Sequence, residues 1–458
     1  MYLRSMRQGV LAFVTMLGCA AQPGLARELP PPPADPQIAA ALTEISPARI
    51  RADIDTLVSF GTRSTLSAQD PAAIAAGRGI GAAREWLKSQ FELYSKACGG
   101  CLEVKTDGYT QLPEGRIPTP TVITNVYAVL KGTDAGAAPR IVLVTGHYDS
   151  RITVVLDASH DAPGANDDAS GVAVSLECAR VLSRLKFPGT IIFLTVAGEE
   201  QNLYGSAHFA QMARAQGWNI VAALNNDIVG GSRGTRQQPG VVRVFSEGVP
   251  AVIDEARLKQ LRSLGGESDS PSRELARQIV EVATTYQLPV HPLMIFRSDR
   301  YLRGGDHQSF TQQGFPAVRF TEYLEDFDRE HQDVRVENGI EYGDLSKFVD
   351  FDYVAGVARL NAATLASLAA APGAPPATKL AVRGLGNGSA LTWDRVPNAT
   401  GYEVLWRDTS SPNWEHMVDV GNVTQTTLDV SKDNVIFAVR AVDARGHRSL
   451  PAVPVPGG

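Results

Sequence analysis

The sequence lacks both a long hydrophobic run and an excess of basic residues. A membrane-spanning helix needs roughly 20 consecutive apolar residues, and no stretch of the chain reaches that length. The 458 residues carry a formal net charge of −6, which argues against a polybasic surface and therefore against a nucleic-acid partner. Hydrophobic residues make up 44% of the chain, enough for a large core, and the length favours two or three domains.

The first 26 residues have the pattern of a secretory signal peptide. A basic start is followed by the apolar run GVLAFVTMLGCAA, and Ala21 or Ala26 offers a small residue for cleavage. We therefore predict a secreted or periplasmic protein. MLGC is an imperfect lipobox, so a lipid anchor at Cys19 is the alternative. Residues 27–37, which contain LPPPPADP, form a proline-rich leader.

Cysteine is also scarce, since the chain has only four. Cys98 and Cys101 lie close together in CGGC, and no second pair of this kind exists to complete a four-cysteine zinc site. In an exported protein such a pair meets an oxidising environment, so we expect a local disulfide. Cys178 lies in an apolar helical pattern and is interpreted as a buried small hydrophobe.

Several apolar strands of the sequence end in ionisable residues. RIVLVTGHYDS, GTIIFLTVAGEE and VAALNNDIVGG read as buried strands with helical patterns between them. This alternation predicts an α/β fold over residues 38–370, a mixed, mostly parallel sheet sandwiched by helices. In such sheets, sites gather at the carboxyl ends of the strands. The ionisable residues at strand ends and nearby turns are His147, Asp149, Asp167, Glu199, Glu200, Asp227 and His307.

These side chains have the composition of a site for two divalent metal ions. Imidazole and carboxylate groups suit zinc, and two metals about 3.5–4 Å apart need a bridging carboxylate. Two histidines, two aspartates and one glutamate give each metal three ligands if one aspartate is shared. One glutamate is then left over, and a spare carboxylate beside the metals is a natural general base. A single aspartate at a strand end is more often a helix cap, and we interpret Asp168 in this way.

Five motifs together resemble a known enzyme family. GHYDS, PGANDDASG, AGEEQNLYGS, NNDIVG and GGDHQSF occur in this order, as in the co-catalytic dizinc metallopeptidases. That family includes secreted bacterial aminopeptidases, glutamate carboxypeptidases and the related glutaminyl cyclases. The resemblance covers residues from about 45 to 370. It implies an α/β peptidase domain, two Zn²⁺ ions and peptide substrates.

The resemblance also implies a role for each matching residue. One zinc ion would be held by His147, Asp167 and Asp227. The other would be held by Asp167, Glu200 and His307, so that Asp167 bridges the two. Glu199 matches the general base, and Asp149 matches the residue that orients His147.

Two further residues near the motifs are candidates for substrate binding. Arg300 precedes His307 in FRSDRYLRGGDH, and an arginine there could bind a substrate carboxylate through two hydrogen bonds. His331 in EDFDREHQDV lies where family members have a histidine near the pocket. A solvated loop is an equally good explanation for Arg300.

The composition changes after residue 370. Residues 371–378 are rich in alanine and proline and are predicted to be a linker. Residues 379–458 show alternating apolar residues with Trp393, Tyr402 and Trp406, which predicts a small all-β sandwich. This part resembles a fibronectin type III domain. Such domains carry no chemistry of their own, so contact with a surface or partner is expected here.

The sequence thus predicts a secreted zinc exopeptidase, most simply an aminopeptidase acting through metal-activated water. A carboxypeptidase of the same fold is the nearest alternative, since the metal motifs do not encode which end of the peptide is bound. Glutaminyl cyclase activity is disfavoured because both metal sites look complete. A non-catalytic, metal-stabilised binding protein is the alternative from another class. The presence of Glu199 argues against it, because metal binding alone does not require this residue.

Overall fold

The structure is a computed structural model, and it describes residues 29, 31–134, 139–234, 236–383 and 386–457. The predicted signal peptide, including Cys19, and residues 27 and 28 of the leader lie outside the described residues. The α-helices are α1 (Pro36–Thr43), α2 (Pro47–Ser59), α3 (Pro71–Ala75), α4 (Gly79–Ala97), α5 (Ala169–Leu182), α6 (Tyr204–Ala215), α7 (Glu255–Ser263), α8 (Pro271–Thr285), α9 (His307–Thr311) and α10 (Phe351–Ala370), with one short 3-10 helix at Ser346–Phe348.

The strands fall into an N-terminal group and a C-terminal group. The first group is β1 (Leu102–Gln111), β2 (Thr121–Leu130), β3 (Arg140–His147), β4 (Thr190–Val196), β5 (Asn219–Asn226), β6 (Val241–Ser246), β7 (His291–Ile295), β8 (Ala317–Glu322), β9 (Arg335–Glu337) and β10 (Ile340–Tyr342). The second group is β11 (Lys379–Ala381), β12 (Ser389–Thr392), β13 (Gly401–Asp408), β14 (His416–Gly421), β15 (Gln425–Leu428), β16 (Val435–Val442) and β17 (Val455–Gly457).

An eight-stranded sheet with the order β1-β2-β4-β3-β5-β8-β6-β7 forms the centre of the larger part. Its middle strands β4, β3, β5 and β8 are parallel to one another. The pairs β1–β2, β2–β4 and β6–β8 are antiparallel, and β6–β7 is parallel. The central strands are buried along most of their length because helices cover both faces of the sheet. The predicted mixed, mostly parallel sheet is therefore confirmed.

Helices α5 and α10 form the centre of one face of this sheet. Residues 169–179 of α5 are all buried, and α10 buries most of its 20 residues. Asp168 caps α5 by accepting a hydrogen bond from the Gly171 amide at 2.9 Å, which confirms the cap predicted for this residue. Helix α6 and α9 pack on the other face, where Phe209 and Phe310 join a second apolar cluster.

The C-terminal strands form two smaller sheets. One has the order β15-β12-β11-β17 and the other the order β14-β13-β16. Trp393, Tyr402 and Phe437 lie between them in a core of their own. The predicted all-β part is thus present after α10 ends at Ala370.

Two smaller predictions are also tested by the structure. Cys98 and Cys101 are joined by a disulfide, as expected, and Cys178 is buried as a free thiol. In the part of the chain that the structure describes, no helix is long and apolar enough to cross a membrane.

Candidate metal centre

The candidate site lies at the carboxyl end of the parallel strands. Strand β3 ends at His147, β5 ends one residue before Asp227, and the turn after β4 carries Glu199 and Glu200. Asp167 comes from the loop that precedes α5. Because parallel strands end at the same edge of a sheet, residues far apart in the sequence meet here.

Asp167 lies between two histidines. Its Oδ1 is 3.1 Å from Nε2 of His147, and its Oδ2 is 2.8 Å from Nε2 of His331. Asp227 Oδ1 is 3.9 Å from His147 Nε2, and Glu200 Oε1 is 3.2 Å from His331 Nε2. The side chains therefore form two groups that share Asp167, one on each side of its carboxylate.

The residues fit a pair of zinc ions. His147 Nε2 and Glu200 Oε1 are buried without a conventional hydrogen-bond partner among the described residues, and such atoms are costly unless something binds them. Imidazole nitrogen with carboxylate oxygen is also the donor set that zinc prefers. Contact with the two histidines holds the pKa of Asp167 well below its usual range despite burial, so this carboxylate is charged and able to bridge.

Glu199 lies on the His147 side of the site. One of its carboxylate oxygens is within 4.8 Å of ligand atoms of His147 and Asp227. Burial, together with neighbouring carboxylates, raises the pKa of Glu199 well above its usual value. A carboxylate with a raised proton affinity beside the metals is suited to take up a proton.

Asp149 positions the groups around it. His147 Nδ1 is 3.1 Å from the backbone carbonyl oxygen of Asp149 and 3.5 Å from its Oδ1. The Asp149 carboxylate also accepts hydrogen bonds from the Glu200 amide at 3.1 Å and the Thr65 hydroxyl at 2.9 Å. Asp149 thus links the orientation of the His147 ring to the turn that carries both glutamates.

Three buried residues that we did not identify from the sequence support the ligands. Arg319 on β8 places Nη2 3.0 Å from Asp227 Oδ1. Asp344 accepts the Asp167 amide at 2.7 Å, and Arg63 donates to the carbonyl oxygens of Pro163 and Gly164 in the same loop. The only signal for Arg319 was a charged residue within an apolar strand, and no local pattern indicated Asp344 or Arg63.

The prediction for His307 needs correction. Its Nε2 is 2.8 Å from the carbonyl oxygen of Ser298 and 3.6 Å from Asp299 Oδ2, so this nitrogen is already engaged away from the shared Asp167. His331, predicted as a substrate contact, takes the place expected for His307. It has a left-handed backbone with φ of 57°, an unusual conformation of the kind found at functional sites.

The prediction for Arg300 also needs correction. Its Nε donates to Asp299 Oδ1 at 3.0 Å, Nη1 to Glu325 Oε2 at 3.0 Å and Nη2 to the Gly304 carbonyl at 2.8 Å. Three of its five N–H groups are therefore used within the protein. Its charge is paired with Asp299 and Glu325, which disfavours the two-point binding of a substrate carboxylate at this residue.

A pocket of about 1080 Å³ opens above the candidate ligands. Asp167, Glu199 and Glu200 lie on its wall, together with Glu330. The side chain of Glu330 pairs with Arg303, yet its Oε2 is buried without a conventional hydrogen-bond partner among the described residues. Burial raises the pKa of Glu330 to about 8, and a positively charged group arriving in the pocket would favour the ionised form of this carboxylate.

The chain is similar in sequence to known proteins that are named as zinc metalloproteases. Residues 125–349 match peptidase family M28. A probable zinc metalloprotease of Pyrenophora teres f. teres is 46% identical over 435 residues, which cover 94% of this chain and 89% of that protein. A probable zinc metalloprotease of Pyricularia oryzae is 47% identical over 434 residues, covering 92% of this chain and 85% of the relative.

Two solved structures share the fold. LapA aminopeptidase of Legionella pneumophila has a TM-score of 0.51 at 20% identity, over 78% of this chain and 80% of its own. LapB of the same organism has a TM-score of 0.52 at 19% identity, over 75% of this chain and 78% of its own.

Proposed function

The chain belongs to peptidase family M28 and is similar to probable zinc metalloproteases, and we propose that it is an aminopeptidase with two zinc ions. The observation that supports two ions is the carboxylate of Asp167, with one oxygen toward His147 and the other toward His331. A carboxylate used from both sides is the bridge that a two-metal site requires.

We assign three ligands to each ion. One ion would be held by His147, Asp167 and Asp227. The other would be held by Asp167, Glu200 and His331, where His331 replaces the histidine predicted from the sequence. When bound, the two ions would supply Lewis acidity toward the peptide carbonyl and lower the pKa of water.

Glu199 is the general base of the proposed reaction. It takes a proton from the attacking water and returns this proton to the leaving amine, which needs a proton to depart. Its raised pKa favours proton uptake, and Asp149 holds the adjacent backbone through the Glu199 and Glu200 amides at 3.4 and 3.1 Å. Arg319 keeps Asp227 in place for the same ion.

Glu330 supports the choice of an aminopeptidase over a carboxypeptidase. Its Oε2 lies buried on the pocket wall without a conventional hydrogen-bond partner in the described part of the chain. The positively charged α-amine of a peptide matches this carboxylate in charge and in hydrogen-bonding capacity. Arg300 and Arg303, in contrast, are paired with acidic side chains of the protein.

Matched peptides with a free and an acetylated N-terminus test this proposal. An aminopeptidase cleaves the free peptides and leaves the acetylated ones intact, because acetylation removes the charge that Glu330 binds. Cleavage of acetylated peptides from the C-terminal end would instead establish the carboxypeptidase. A protein that binds zinc and cleaves neither set would be the metal-stabilised binding protein.

The proposal also includes a role for the C-terminal sheets and a location for the protein. The two facing sheets of four and three strands support a fibronectin type III-like sandwich that contacts a surface or partner. The proposed signal peptide makes the enzyme secreted or periplasmic, and N-terminal sequencing of the exported protein tests this.

A further inference from the structure

Four arginines line the pocket above the candidate ligands, and they differ in how their charge is used. They are Arg116, Arg151, Arg300 and Arg303. Arg300 pairs with Asp299 and Glu325, and Arg303 pairs with Glu325 and Glu330. The charges of these two are neutralised within the protein, which leaves Arg116 and Arg151 as the arginines that could bind a ligand.

Arg116 has no acidic partner in the part of the chain that the structure describes. No carboxylate oxygen there lies within 4.0 Å of its guanidinium nitrogens. Its Nη1 donates to the backbone carbonyl of Glu200 at 2.8 Å, directly beside the proposed metal centre. The rest of the guanidinium group is free, because Arg116 is an exposed residue.

The loop that carries Arg116 is held in place between β1 and β2. Glu114 and Ile117 exchange two backbone hydrogen bonds of 3.0 and 2.9 Å. The Tyr204 hydroxyl donates to the Glu114 carbonyl at 3.3 Å, and Ile117 is buried with 1% exposure. The backbone at Arg116 is therefore held beside the site before any ligand binds, which lowers the entropic cost of binding.

Arg151 reaches the same region from the loop after β3. Its Nε donates to the Ile152 carbonyl at 3.3 Å and lies 3.9 Å from Glu200 Oε2, within ion-pair distance but too far for a hydrogen bond. Glu200 is proposed to bind a metal ion, so its charge is shared. Both arginines thus lie next to Glu200, and they place positive charge on this part of the pocket wall.

We propose that Arg116 and Arg151 form a subsite for a carboxylate of the substrate. This inference rests on the proposed aminopeptidase function. Because the α-amine is assigned to Glu330, the carboxylate belongs to the residue that follows the scissile bond. It is either the free C-terminal carboxylate of a dipeptide or an acidic side chain at the second position. Arginine suits this ligand since it donates two parallel hydrogen bonds to a carboxylate.

Three unblocked substrates test the subsite: Leu-Gly, Leu-Gly amide and Leu-Asp amide. For the wild-type enzyme we expect Leu-Gly or Leu-Asp amide to have a kcat/KM at least about tenfold higher than Leu-Gly amide, mainly through KM, because only these two substrates carry a carboxylate after the scissile bond. Leu-Asp amide reports on the side-chain carboxylate. A kcat/KM for Leu-Asp amide above that for Leu-Gly amide assigns the subsite to acidic side chains. A kcat/KM equal to that for Leu-Gly amide assigns it to the C-terminal carboxylate.

Substitutions connect this preference to the two arginines. Arg116→Gln is expected to bring the kcat/KM ratio between the preferred carboxylate substrate and Leu-Gly amide close to one, and Arg116→Lys to retain part of this preference. Arg151→Gln serves as a second, independent test if Arg116→Gln does not fold. Arg214→Gln, which removes an exposed arginine on α6 away from this pocket, is the matched control and keeps the ratio.

Two results would overturn the proposed subsite and leave the proposed aminopeptidase function intact. One is equal kcat/KM for the acid and both amides in the wild-type enzyme. The other is an unchanged preference in folded Arg116→Gln and Arg151→Gln. If no unblocked peptide is cleaved, including the neutral Leu-Gly amide, the proposed aminopeptidase function fails and the inference fails with it.

Discussion

Asp269 connects the peptidase part to the C-terminal sheets, and its removal is expected to separate them. Its Oδ1 accepts hydrogen bonds from Arg277 Nη1 on α8 at 3.0 Å and from Arg407 Nη2 on β13 at 2.6 Å. All three side chains are almost fully buried, with 2–3% exposure. Trp414 adds a hydrogen bond from its indole nitrogen to Glu274 at 2.9 Å.

The loss of stability in Asp269→Ala follows from the carboxylate partners that Arg277 and Arg407 would keep. Arg277 keeps Glu274 as a partner, whereas Arg407 has no other carboxylate within 4.0 Å among the described residues. Leaving one buried charge without its partner costs about 3–5 kcal/mol. At roughly 2 °C for each kcal/mol in a large domain, the unfolding midpoint should fall by about 6–10 °C.

Thermal unfolding followed by tryptophan fluorescence measures this loss, since Trp414 lies at the interface. Limited proteolysis within residues 371–378 gives an independent readout, because undocking exposes this segment. Asp429→Ala removes an exposed aspartate from the C-terminal part and serves as the control. A midpoint for Asp269→Ala within about 1 °C of the control would refute the idea that this buried contact holds the two parts together.

The remaining predictions concern the metal centre and a buried carboxyl group. Glu199→Gln should keep two zinc equivalents by elemental analysis while turnover falls about 10²-fold to 10⁴-fold; full activity would contradict its role as base. His331→Ala should retain about one zinc equivalent and His307→Ala two, and the reverse result would restore the sequence-based assignment. Burial raises the pKa of Asp53 from 3.8 to about 7. Its proton therefore stabilises the native state at low pH, and this contribution is lost as pH rises through 7. Between pH 5 and 8 this group should lower the free energy of unfolding by about 2–3 kcal/mol, so urea titration should show a fall for Asp53→Asn that is smaller than the wild-type fall by this amount.

The sequence by itself determined the sheet and most of the centre. Continuous apolar strands dictate a sheet covered on both faces, and the strand ends meet at one edge for topological reasons. His147, Glu199, Glu200 and Asp227 each follow such a strand, so local patterns were enough to find them. Asp167 was recognised in the same way from its loop before an apolar helix.

Only the tertiary structure decided which histidine completes the second group. His331 lies in irregular chain after β8, where no periodic pattern specifies a direction, and its position depends on contacts with Asp167 and Glu200 far away in the sequence. His307 lay in a motif that looked complete, but its ring turns to the Ser298 carbonyl. For the same reason the sequence did not show that Arg300 pairs with acidic side chains or that Arg116 lacks an acidic partner among the described residues. Whether an arginine is available to a substrate depends on which acidic side chains the fold brings within reach, and sequence spacing does not encode that distance.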